Sequence, residues 1–152
     1  MHNLSRRNAF RGLVVLMTGS TLATASRSIA REEVPLAIKG YDPVAYFTDG
    51  RPEKGSPDFS ASFDGTTYHF KNAQHRATFV ADPDRYAPQY KAYCAITIAR
   101  GSKLEVDPEA WLIWNGKLYM FAGKPGVDMF KKEAADIVAK ADAAWPEANK
   151  TR

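Results

Sequence analysis

The chain has one cysteine, Cys94, among its 152 residues. No intramolecular disulfide can form, so packing alone must hold the fold. Long apolar runs are missing too. The best candidate, residues 12–25 (GLVVLMTGSTLATA), is interrupted by Gly19 and diluted with Thr and Ser, and falls short of the ~20 mostly apolar residues a membrane span needs. The sequence contains no Gly-x-Ser-x-Gly, no phosphate-cradling glycine loop, no dinucleotide fingerprint and no His-Glu-x-x-His. The hydrolase, nucleotide and zincin chemistries marked by those signatures are therefore not indicated. No run of like charges marks a nucleic-acid or anionic-membrane partner.

The amino terminus carries an address. Arg6 and Arg7 stand behind Ser5, Arg11 precedes the weakly apolar stretch, and Ser28-Ile29-Ala30 offers the small residues a signal peptidase reads. Residues 1–30 read as a cleavable twin-arginine signal peptide, with a second cleavage option after Ala25. An ordinary secretory signal fits the same segment, and either route leads out of a bacterial cytoplasm, to the periplasm or beyond. Cleavage leaves no stable membrane anchor. It also removes Arg6, Arg7, Arg11 and Arg27, four of the 21 basic residues, leaving 17 against 17 acidic ones. The formal charge of +4 thus belongs to the address.

What remains is about one domain's worth of chain, rich in aromatic residues. Residues 31–39 read as an extended lead-in. Asp42-Pro43 starts a brief helix through Val44, Tyr46 and Phe47. Phe59 to Phe63 and Thr66 to Phe70 alternate as strands across Asp64-Gly65, and Trp111 to Trp114 and Lys117 to Phe121 flank Asn115-Gly116, both turns of hairpin type. Asn72 caps a helix from Ala73 to about Ala81, with Ala73, Ala77 and Val80 on one stripe and Phe79 beside it. Pro83 to Tyr86 is a short turn, and Gln89 to Gly101 reads as helical or irregular. Phe130, Ala134, Ile137, Val138, Ala141 and Trp145 line one face of a helix that stops before Pro146. The sum is an α+β domain: a small antiparallel sheet of two hairpins, short interposed helices and a C-terminal helix packed on the sheet.

The candidate ligating residues are few. Beyond the signal peptide they are Cys94, His69, His75, Met120 and Met129, too few for a structural zinc site with paired spacings. Copper(I) accepts fewer, softer ligands, which makes Cys94 with His75 or a methionine chemically admissible. A free thiol in an oxidising compartment is buried, used or paired between chains, so a Cys94–Cys94 dimer stays open. His75 stands four residues before Phe79, on the same side of its helix.

The segments Gly40-Tyr41-Asp42-Pro43-Val44-Ala45-Tyr46-Phe47, Tyr68-His69-Phe70, Tyr86-Ala87-Pro88-Gln89-Tyr90, Tyr93-Cys94-Ala95 and Ala139-Lys140-Ala141-Asp142 with Trp145-Pro146 together resemble an exported protein of the YHS-domain family. The resemblance runs from about residue 36 to 146. It implies a YHS-like domain over 40–146, a tail at 147–152, a compact α+β fold and an association with metals. Shorter relatives carry Asp-Pro-Val-Cys and a later Cys-x3-Cys. Here Ala45 and Lys71 occupy the first two cysteine positions, and His75 the third.

Two functions from different classes follow. One is an exported, non-enzymatic YHS-domain protein that handles a soft metal, copper first, through Cys94 with His75. The other is an accessory module that docks a small molecule or a protein partner on an aromatic surface around Tyr41, Tyr46, Tyr90 and Trp111, with Cys94 buried and inert. An enzymatic role for Cys94 in peroxide or thiol chemistry is weaker, because no His, second Cys or basic cluster adjoins it in sequence.

Overall fold

The computed structural model of the chain describes residues 34–150. The signal peptide read at 1–30 lies outside the described residues, as do the start of the lead-in and the last two residues. The fold is α+β, as the sequence predicts.

Both hairpins form around the turns that announced them. Strands β1 (Ser56–Phe63) and β2 (Thr66–Phe70) pair antiparallel with Phe63 opposite Thr66. Asp64 and Gly65 between them both take positive φ, 47° and 69°, the twist that suits a two-residue hairpin loop. Strands β3 (Trp111–Trp114) and β4 (Lys117–Met120) repeat the arrangement across Asn115 and Gly116. The hairpins do not share a ladder; each is its own two-stranded sheet.

Five α-helices lie among the described residues: α1 (Ala45–Thr48), α2 (Ala73–Ala81), α3 (Pro83–Tyr86), α4 (Ala95–Ile98) and α5 (Lys124–Ala148). In α2 the Asn72 side chain caps as expected, accepting the His75 N–H at 2.8 Å. The buried face differs from the expected stripe. Phe79 is buried and His75 half-buried, whereas Ala73, Ala77 and Val80 are exposed. The large ring decides, since it buries far more apolar area than two alanines and a valine. Phe79 packs against Tyr68 and Phe70 at centroid distances of 4.8 and 5.0 Å.

Helix α5 packs on α4 and β3 and buries Phe130, Ile137 and Ala141, with Ala134, Val138 and Trp145 partly covered. It starts six residues before Phe130, with Pro125 in the first turn, where a missing N–H leaves nothing unsatisfied. It also runs past Pro146 rather than stopping before it. Pro146 removes one backbone bond close to the helix end, and the Asn149 N–H still closes on the Trp145 carbonyl at 2.8 Å. Glu133 departs from helical geometry (φ −135°, ψ 30°) and kinks the helix between Phe130 and Ile137.

One glycine is fixed by space rather than by dihedral angle. A Cβ on Gly55 would lie 2.5 Å from the backbone carbon of His69 in β2, and the Gly55 N–H donates to the Gly40 carbonyl at 2.9 Å. Gly55→Ala is expected to destabilise the protein by about 1–3 kcal/mol, the usual cost of overpacking, read as a lower urea midpoint. An unchanged midpoint would mean that the 53–55 segment moves aside freely.

Candidate functional site: a cleft between two left-handed turns

The lead-in passes from an extended run into the core. Leu36 makes a parallel bridge with Thr67 at the end of the first hairpin, and Ala37 and Ile38 are buried. The chain then makes a left-handed turn: Ile38 (φ 48°, ψ 35°), Lys39 (52°, 29°) and Gly40 (φ 81°). Fifty-two positions later the same shape recurs at Tyr90 (55°, 37°), Lys91 (52°, 36°) and Ala92 (φ 64°). Each turn closes in the same way, with the Tyr41 N–H donating to Ile38 and the Tyr93 N–H to Tyr90, both at 3.0 Å.

Five of these six residues are not glycine, and a left-handed L-residue costs roughly 1–2 kcal/mol. The combined strain is therefore on the order of the net stability of a whole domain, and it persists only because the surroundings over-determine it. Burial supplies part of the restraint: Ile38 is 2% and Tyr90 7% exposed. The Tyr90 hydroxyl donates to Asp142 of α5 at 2.8 Å, and its ring meets Trp145 edge-on. The exits are clamped, Asp42 N–H to the Glu53 carbonyl at 2.9 Å and Cys94 N–H to the Leu104 carbonyl at 3.0 Å.

The two turns face a common cleft of about 900 Å³. Its lining includes Leu36, Ile38, Ala92 and Val106, the lysines Lys39, Lys91 and Lys103, and Glu105. Lys91 reaches the Gly65 turn, where a glycine Cβ would lie 4.0 Å from its Nζ, and it is 3.5 Å from the Asp64 carboxylate. Lys103 lies over the Tyr93 ring at 5.2 Å. Thr66 lines the same wall; its hydroxyl is buried and makes no hydrogen bond of normal geometry, although it lies near enough to the Tyr68 phenol to favour that group's ionised form slightly. Size and lining fall within the range of small-molecule sites.

A second constellation centres on Asp42, which is fully buried. Its Oδ1 accepts from the N–H groups of Val44 and Ala45 at 2.8 and 3.4 Å, and its Oδ2 accepts from the Lys71 N–H at 2.9 Å. The same Oδ2 lies 2.7 Å from Nδ1 of His75. One carboxylate thus ties the start of α1, the end of β2 and helix α2. Beside it the Lys71 ammonium pairs with Asp49 and holds that carboxyl below its ordinary range.

The residues singled out from sequence are distributed as follows. His75 is bound to Asp42. Cys94 is free, 3% exposed, and precedes α4, which packs on α5. Among the described residues no group of three or more His, Cys, Asp or Glu side chains is placed to hold a metal ion. Of the expected aromatic surface, Tyr46 and Tyr90 are core: the Tyr46 hydroxyl donates to the Pro108 carbonyl at 2.9 Å, and its ring meets Trp111 at 5.1 Å. Tyr41 is half-buried under the Lys54 ammonium.

Sequence reasoning missed Lys39, Lys91, Lys103 and Asp42. The signal for two of them is the recurring triplet Lys39-Gly40-Tyr41 and Lys91-Ala92-Tyr93. Compared with known proteins, the chain matches no family model, no curated protein and no solved structure. No helix among the described residues is long and apolar enough to cross a membrane.

Proposed function

We propose that this is an exported, non-enzymatic binding module of the YHS-domain type, which holds a small ligand in the cleft between its left-handed turns and keeps Cys94 as an inert core residue. The observation that carries this reading is the convergence of two strained turns on one cleft. Strain of this kind concentrates at ligand sites, where a fixed backbone spares the ordering cost of binding. The burial of Cys94 supports the second part, since a thiol used in chemistry or ligation needs access.

The test is a melting-temperature screen of the full chain against acidic, basic and neutral small molecules, with thiol labelling of Cys94 alongside. A bound compound raises the melting temperature in proportion to its occupancy, and Cys94 is expected to label only after unfolding. Rapid labelling of the native protein would overturn inert burial.

A soft-metal role is the second reading, favoured by the Asp42–His75 contact. Metal-ligating histidines commonly have their other ring nitrogen fixed by a carboxylate in this way. Anaerobic titration with copper(I) decides it: stoichiometric binding that is lost in Cys94→Ser would restore the metal reading, and no binding in either protein would remove it.

A further inference from the structure

We infer that the domain is an internal duplication: two copies of one module, each with its own aromatic core, joined through α3 and meeting at the cleft. The first copy runs from the turn at Ile38 to Ala81, and the second from the turn at Tyr90 into α5. Each contains a left-handed turn, a short helix, a hairpin and a helix, in that order. Unrelated folds can share an element order, since architectures are few. Ring geometry is a finer comparison. Phe63, Tyr68, Phe70 and Phe79 have counterparts 51 positions on in Trp114, Tyr119, Phe121 and Phe130. Phe79 meets the other three rings of its copy at 6.2, 4.8 and 5.0 Å, with interplanar angles of 83°, 38° and 50°. Phe130 meets its own three at 6.0, 4.9 and 5.2 Å, with angles of 90°, 36° and 60°. Aromatic pairs in general spread over about 4.5–7 Å and many tilts. Here three pairs agree to within 0.2 Å and 10°.

The backbone repeats as well. The N–H groups of Asp42 and Cys94 donate to the carbonyls of Glu53 and Leu104, again 51 positions apart. Helix α2 ends at Ala81 with Asp82 as its cap, and the kink in α5 falls at Glu133, the counterpart of Asp82. The start of α5 is thus the second copy's α2, and the kink marks where the repeated helix ends. Lys39-Gly40-Tyr41 and Lys91-Ala92-Tyr93 belong to the same repeat. Cys94 stands where the first copy has Asp42, and both are buried. The place of the thiol in the module accounts for its burial without any chemistry of its own. The cleft is the seam, lined by Ile38 and Lys39 from one copy and by Lys91 and Ala92 from the other.

Modules with separate cores open separately. The experiment is native-state hydrogen exchange on the full chain, on Phe79→Leu and on Phe130→Leu. Phe79→Leu is expected to speed exchange of the β1–β2 amides by about tenfold while β3–β4 stays within about twofold of the parent. Phe130→Leu should do the reverse. Equal acceleration of both hairpins by either variant would show one shared core and overturn the inference. The parent supplies a measurement that survives a variant failing to fold. Its two hairpins are expected to lose protection at different urea concentrations, and loss of both in a single step would equally overturn the two-module reading.

Discussion

Asp42→Ala is expected to cost about 3–5 kcal/mol of folding stability, because several polar partners lose a buried acceptor and each such loss costs about 1–3 kcal/mol. The carboxylate is fully buried and gathers three backbone N–H groups and the His75 imidazole on its two oxygens. Alanine leaves all four without this acceptor, and the donors that stay buried each carry a desolvation penalty. Against the 5–15 kcal/mol by which domains are ordinarily stable, such a loss brings a sizeable fraction of molecules near unfolding. Asp42→Asn should be milder, about 1–3 kcal/mol. Its amide oxygen can still accept from Val44 and Ala45, but its NH₂ group then faces the Lys71 N–H. His75→Ala leaves the carboxylate short of a partner. The double variant Asp42→Asn with His75→Ala should cost less than the two singles added, because each single already breaks the same contact. Urea midpoints of the four proteins test this, and an Asp42→Ala midpoint within about 1 kcal/mol of the parent would show that the carboxylate is no keystone.

The contrast between what could and could not be read from the sequence has a physical basis. Asp64-Gly65 and Asn115-Gly116 are local: two residues that tolerate positive φ between alternating strands specify a hairpin without outside help. Asn72 is local as well, since its side chain reaches the N–H three residues on. The left-handed turns are the opposite case. Ile38, Tyr90 and Lys91 have no preference for positive φ, and only Gly40 hints at one. Contacts from distant segments hold them there, from Glu53, Leu104 and Asp142. A one-dimensional pattern carries no record of such restraint. The Asp42–His75 contact spans 33 positions and is equally silent. Its two ends were each legible for local reasons, Asp42 as a helix start and His75 as the companion of Phe79. Aromatic density was legible as quantity but not as place, and Tyr46 and Tyr90 went to the core rather than to a surface.

The same buried tyrosines make the protein vulnerable to alkali. Burial raises the phenol pKa of Tyr46, Tyr68, Tyr90 and Tyr119, with Tyr68 pushed up to about 12. Tyr90 is raised further by its hydrogen bond to the Asp142 carboxylate, and Tyr46 by the nearby charge of Glu109. In the unfolded chain all four return to about 10. Above pH 10 the unfolded state therefore releases protons that the native state keeps, and stability falls as pH rises. Below pH 10 both states are protonated and the contribution is fully present. Each group that stays neutral in the fold adds about 1.4 kcal/mol per pH unit, so Tyr46, Tyr68 and Tyr90 together remove about 4 kcal/mol by pH 11, close to the stability of a small domain, and Tyr119 adds in the same direction. The expected result is a steep, cooperative loss of circular dichroism shortly above pH 10, with the four phenols ionising in the same transition rather than ahead of it. Tyr90→Phe should flatten the slope by about a quarter. That variant also forfeits the Asp142 bond that steadies the second left-handed turn, so its melting temperature at neutral pH should fall while its alkaline slope improves. Phenolate absorbance that rises smoothly for all seven tyrosines while the fold persists would show that these rings are reached by solvent, and with that the restraint on Tyr90 and its turn would lose its foundation.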